Sequence, residues 1–213
     1  MSLAGEAFRA RVTDAVNAPR DGTLGSRFVA PLVTWLVADA AAGDELEDAL
    51  AGTMRALERV GVLRGRQFVL LGGGTPTPEA RARARALRTA LGVPVLVHDP
   101  AREGFVAGTL ADGTPIELDD ELREAEAIVV VAGGPVRAVA RTVVPGVAVA
   151  STRAAFDRAQ AAGEAAAWAF VREAEVQAPI DLLVWWDDAG EVCAASGRYA
   201  LEGFATGCRM GPR

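Results

Sequence analysis

The chain has 213 residues and a formal net charge of -6, with 28 acidic residues against 22 basic ones, and every basic residue is an arginine; there is no lysine and a single histidine, His98. That composition excludes lysine Schiff-base chemistry, a phosphate loop closing on Gly-Lys-Ser/Thr, a pair of histidine bases and histidine-rich metal cages. The acidic balance opposes attraction to nucleic acid or anionic lipid, no apolar run approaches the roughly 20 residues of a membrane helix, and a hydrophobic fraction of 51% is that of a globular protein.

The N-terminus lacks a basic stretch followed by an apolar core, which predicts no secretory signal and a cytoplasmic location. In such a compartment Cys193 and Cys208 are expected as buried reduced thiols rather than a bridge.

Taken in chain order, the first twenty or so residues predict a short helix and a loop. Leu32, Trp35 and Leu36 fall at three-to-four spacing and predict a helix over 28–41. A second helix is expected over 44–60, with Leu46, Leu50, Met54 and Leu57 on one stripe, Asp44 and Glu45 at its start and Gly61 beyond its end. The period then changes. Gln67 to Leu71 is short and continuously apolar, as a buried parallel strand would be. A helix follows over 78–91, then a strand over 93–97, two extended segments at 105–110 and 115–118 across Asp112-Gly113, and a short helix at 120–125. Ile128-Val129-Val130-Val131 is the strongest strand signal of the chain.

This alternation predicts an α/β fold with a mostly parallel, Rossmann-like layered sheet and helices on both faces. Beyond Pro145-Gly146 the pattern shifts to helices over 151–162 and 164–177, a hairpin of 182–186 with 191–195, and a last helix from about residue 200. A boundary is placed near residue 148, with 1–148 as the α/β domain and 149–213 as a small helix-and-hairpin portion of α+β type. Trp185 and Trp186 are expected to pack on opposite faces of their strand.

The leading local candidate for a site is Leu71-Gly72-Gly73-Gly74-Thr75-Pro76-Thr77-Pro78-Glu79, a strand-to-helix junction. Three glycines let the backbone approach a ligand, Thr77 caps the helix and Pro78 suits its first turn. Such a junction either holds a phosphate or carboxylate at the helix N-terminus or simply connects strand to helix. Glu79 in the first turn opposes an anion there. Arg81, Arg85 and Arg88 read as a solvated face. His98, at the end of a predicted strand, reads as a general base or as a structural residue, and Asp99 next to it points to the other face of a strand. Asp119-Asp120-Glu121 reads as a helix cap and Asp187-Asp188 as a hairpin turn; neither has calcium-loop spacing, so no metal is assigned.

Several segments in one order resemble the nickel-dependent lactate racemase (LarA-like) family: Leu57 to Val62, the turn ending Gly74-Thr75, Val97-His98-Asp99-Pro100, Gly108-Thr109 with Gly113 to Ile116, Glu124 to Val131, Val143 to Val147, Asp187 to Val192, and Gly197 with Gly207-Cys208. The chain reads as a shortened, divergent member. The resemblance implies a nickel pincer nucleotide tethered to a lysine, a histidine on the metal, and two histidines as opposing acid and base in a reversible hydride transfer. At the matching positions stand Pro76 after Gly74-Thr75, the shortened run Gly133-Gly134-Pro135-Val136-Arg137, Arg141 for the tethering lysine and Phe156-Asp157 for the metal histidine. His98 matches a different family histidine, in a His-Asp-Pro motif outside the catalytic set. An arginine forms no such tether and no side chain holds a hydride alone.

The expectation is a protein without cofactor or catalytic residues that binds a small anion, a hydroxy acid or phosphate, at Gly72, Gly73, Gly74, Thr75, Thr77, His98 and Arg141. It would act as a binding or partner subunit, as a homo-oligomer or beside a racemase relative. The alternative is an active 2-hydroxy acid racemase or epimerase-like enzyme with reassigned chemistry built on His98.

Overall fold

The apolar runs pair into one six-stranded sheet. The computed structural model describes residues 3–19, 28, 31–134, 141–174, 178–187 and 189–195. In chain order the elements are α1 (Leu3–Asn17), β1 (Thr34–Asp39), α2 (Leu46–Arg59), β2 (Gln67–Gly72), α3 (Pro78–Leu91), β3 (Val95–Val97), β4 (Gly104–Thr109), β5 (Pro115–Asp119), β6 (Ala127–Gly133), α4 (Ala150–Ala162), α5 (Glu164–Ala174), β7 (Leu182–Trp186) and β8 (Val192–Ala195). The sheet runs β3-β2-β1-β6-β7-β8, parallel from β3 through β7, with β8 antiparallel at one edge. β4 and β5 form a separate antiparallel hairpin.

Two cores sandwich this sheet. Leu36, Ala38, Val69, Leu71, Val129 and Val184 face one way, against α1, α2 and α3. Trp35, Val37, Leu70, Ile128, Val130 and Leu183 face the other, against the β4–β5 hairpin, the segment 143–149, α4 and α5. Strands buried on both faces are why the sequence shows continuous apolar runs rather than alternation. Burying each such Leu or Val contributes about 1.5–3 kcal/mol relative to exposure. Trp185 and Trp186 divide between the two cores as expected.

The helix expected over 28–41 is replaced by strand β1. The stretch from Val33 to Ala38 is apolar apart from Thr34, and β1 lies between β2 and β6 with both faces covered, so no polar helical face exists. The short helix expected at 120–125 is a single 3-10 turn over Asp120–Leu122. The sheet also continues past residue 148, since β7 pairs with β6 and β8 with β7. Cys193 lies half-buried in β8 rather than in the core. The expected last helix from residue 200, with Cys208, lies outside the described residues, as do Asp188 and the run from Pro135 to Arg137.

Local chemistry sets the element ends. Thr77 accepts the Ala80 N–H at 3.1 Å and Pro78 opens α3, as their positions foretold. At Gly108, a Cβ would sit 2.1 Å from the Glu173 carbonyl oxygen, so only glycine lets α5 cross β4 this closely. Asp187 closes the β7–β8 turn by accepting the Ala189 and Glu191 N–H groups on one oxygen, at 3.0 and 2.9 Å.

Candidate functional site

In an open parallel sheet, ligands sit beyond the carboxyl ends of the strands where the chain's path turns from one sheet edge to the other. Here that place lies between β1 and β6, above Asp39 and Gly133. A cleft of about 820 Å³ opens there, lined among others by Arg11, Asp39, Asp44, Thr142, Trp186 and Asp187. Beside it, over the end of β2, lies a depression of about 300 Å³ bounded by Gly72, Gly73, Gly74, Thr75, Thr77 and Arg83. Ala41 belongs to both walls.

The glycine turn of the smaller depression is built by close backbone approach. The Gly73 N–H donates to the Gly146 carbonyl at 3.0 Å, and the Gly72 carbonyl accepts the Ala40 N–H at 2.9 Å. The turn is thereby fastened to the β1–α2 loop on one side and to the segment before α4 on the other. Thr77 uses its oxygen as the α3 cap. Glu79 is exposed, and its carboxyl is held below the usual range first by its own backbone N–H and then by the Thr77 hydroxyl. The start of α3 therefore carries its own anion.

Two arginines flank this region from different elements. Arg83 donates to the carbonyls of Ala40 and Gly43 at 3.2 and 2.6 Å, bracing the loop between the two cavities. Arg153, in the first turn of α4, brings Nη2 to 3.6 Å from where a Cβ on Gly74 would stand, and its Nη1 reaches the Gly146 carbonyl at 3.5 Å. Arg81, Arg85 and Arg88 are exposed, as read from the sequence. Nothing local marks Arg153, because its neighbour in space is far away in the chain.

His98 is close to the turn but not part of its surface. It is 1% exposed, with Nδ1 at 2.5 Å from Asp119 Oδ2 and Nε2 at 2.9 Å from the Ala148 carbonyl. The partner is Asp119, not the adjacent Asp99, whose carboxylate accepts the Ala101 N–H instead. Asp119 does two jobs, since its other oxygen accepts the Glu121 N–H at 3.1 Å as the expected cap. Burial works to raise the Asp119 pKa, but the His98 hydrogen bond, the Glu121 N–H and the charges of His98 and Arg102 outweigh it, and the net shift is downward. Arg141 is exposed, and it is its neighbour Thr142 that lines the larger cleft.

Fold and cleft position define a Rossmann-like α/β protein. Among solved structures it is similar to the lactate racemase apoprotein from Thermoanaerobacterium thermosaccharolyticum, with a TM-score of 0.73 and 13% sequence identity over 94% of this chain and 54% of that one. At that identity the likeness is one of fold, and this chain spans about half the length of its neighbour. No protein-family model matches the sequence, and no curated protein matches it. No helix among the described residues is long and apolar enough to cross a membrane.

Proposed function

We propose that this chain is a lactate-racemase-like scaffold that works without a nickel nucleotide and binds a small anion, a hydroxy acid or phosphate, at the glycine turn. The observation that carries the reading is the Arg153 guanidinium beside Gly74, its Nη2 3.6 Å from where a Cβ would stand, which puts a cation next to backbone that carries no side chain. The larger cleft is the poorer host for an anion, because Asp44 and Asp187 line it beside Asp39, whose Oδ1 also reaches the turn, 2.7 Å from where a Cβ on Gly73 would stand. Glu79 stands at the rim of the smaller one, but its charge is solvated and screened.

The residues present do not fit the nickel group that the resemblance implies. Of Phe156-Asp157, the pair near the position of the metal histidine, Phe156 is buried in the second core and packs edge-on against Phe170 with ring centroids 5.7 Å apart, and Asp157 is exposed on the outer side of α4. A phenyl ring offers no lone pair to a metal. Arg141, at the tether position, is a permanent cation that forms no such covalent bond. Among the described residues no three His, Cys, Asp or Glu side chains converge as a metal site. The enzyme reading with reassigned chemistry needs His98 as a base, and both nitrogens of that ring are already engaged. Calorimetric titration of the purified chain with phosphate and with each lactate enantiomer tests the proposal. Binding that Arg153→Ala weakens about tenfold or more supports it, and absence of binding by all three, or binding that Arg153→Ala leaves unchanged, overturns it.

A further inference from the structure

The walls of the larger cleft carry more negative charge than their own cations answer. On one side the loop after β1 brings Asp39, Asp44 and Glu45, and on the other the β7–β8 turn brings Asp187. Asp48 also lines the cleft, but Arg9 holds it through Nε at 3.1 Å and Nη2 at 2.5 Å. Asp39 and Asp187 each spend Oδ1 on backbone N–H groups, and among the described residues their Oδ2 atoms and the Asp44 carboxylate have no hydrogen-bond partner. Arg83 grips the β1–α2 loop from the α3 side by donating to two carbonyls. Among the described residues the only cation on the cleft walls is Arg11, which pairs with no carboxylate there; its guanidinium lies 5.6 Å from the Phe8 ring centre, and its Nη2 lies 3.2 Å from where a Cβ on Gly190 would stand, on the side of the β7–β8 turn.

The same wall supplies a donor without an acceptor. Trp186 is 6% exposed, packs edge-on against Phe8 with ring centroids 5.7 Å apart, and lines the cleft. Its Nε1 lies 3.1 Å from where a Cβ on Gly133 would stand, so the glycine at the end of β6 leaves that edge of the indole uncovered. An indole N–H only donates, and this one has no acceptor among the described residues. A donor left unpaired in the interior is costly, so an acceptor held in the cleft is stabilising. β1 and β7 flank β6, and with neighbouring strands about 4.8 Å apart the strand ends that carry the two acidic walls are about 10 Å from each other. A single metal ion does not span that gap. A ligand that answers every group is elongated, with an acceptor and a cation close together at one end and a second cation at the other.

We propose that this cleft is a binding site for a basic amino acid, with its α-carboxylate on the Trp186 N–H and Arg11, its α-ammonium on Asp187 and its side-chain cation on Asp39 and Asp44. The site is separate from the glycine turn and does not rest on the anion reading. Calorimetric titration of the full chain with L-lysine and L-arginine tests it, beside norleucine, which lacks the distal cation, and cadaverine, which lacks the carboxylate. At least one of the basic amino acids is expected to bind, with both truncated probes about tenfold weaker or more, since each forfeits a charged hydrogen bond. Asp44→Asn and Trp186→Phe are each expected to weaken that binding several-fold. Asp44 is exposed, so its variant keeps the fold, and Trp186→Phe keeps a ring against Phe8 while removing the N–H. Absence of binding by both amino acids, a truncated probe that binds as tightly, or binding left unchanged by Asp44→Asn or by a folded Trp186→Phe overturns the assignment. Phosphate does not enter the measurement, so its failure to bind would count against the glycine turn alone.

Discussion

Gly146 blocks any side chain at Gly72: its carbonyl oxygen lies 2.7 Å, and its carbonyl carbon 2.9 Å, from where a Cβ on Gly72 would stand. The two nearest atoms are backbone and the third is the stiff Val147 side chain at 3.0 Å, so no long flexible group can move aside. Gly72→Ala is therefore expected to destabilise the fold by about 1–3 kcal/mol, as overpacking does. Urea denaturation of both proteins measures it, and an unchanged midpoint would show that the two segments separate without cost.

Asp119 gives the acid limb of the stability curve. Its folded pKa is depressed, so its contribution is present above the unfolded carboxyl value of about 3.9 and is lost as pH falls through the lower folded value. The melting temperature of the wild type is expected to fall over that acidic range more steeply than that of Asp119→Asn. Parallel curves for the two proteins would remove Asp119 from the account.

Arg153→Ala is expected to weaken phosphate binding about tenfold or more, since a hydrogen bond to a charged partner contributes about 1.5–3 kcal/mol and each 1.4 kcal/mol is tenfold. The fold should survive, because Arg153 is only half-buried and its one contact to the Gly146 carbonyl is long at 3.5 Å. Equal affinities in a calorimeter would move the anion elsewhere.

The purified protein is expected to hold no stoichiometric nickel and to leave L-lactate unracemised, given Phe156 in the core and Arg141 at the tether position. Elemental analysis and a chiral assay check this pair of outcomes, and nickel together with racemisation would overturn the cofactor-free reading.

Much of this architecture was legible in the linear chain. Gln67 to Leu71 and Ile128 to Val131 announce buried strands because a strand covered on both faces must be apolar throughout, and Thr77-Pro78 announces a helix start because capping is settled within four residues. Asp187 closed its turn for the same local reason. The stretch holding β1 was not legible, since Leu32, Trp35 and Leu36 satisfy a helical spacing as well as a strand, and only β2 and β6 on either side settle the choice.

The sites divide in the same way. Short-range chemistry alone determined that Gly72 to Thr77 would make a tight strand-to-helix turn and that no lysine could anchor a cofactor. Tertiary structure decided that His98 pairs with Asp119, 21 positions away, rather than with Asp99, and that Arg153 comes beside Gly74. Which polar groups meet inside a core depends on how sheet, hairpin and helix are stacked, and that stacking is set by the summed burial of many apolar residues rather than by any neighbour in the chain.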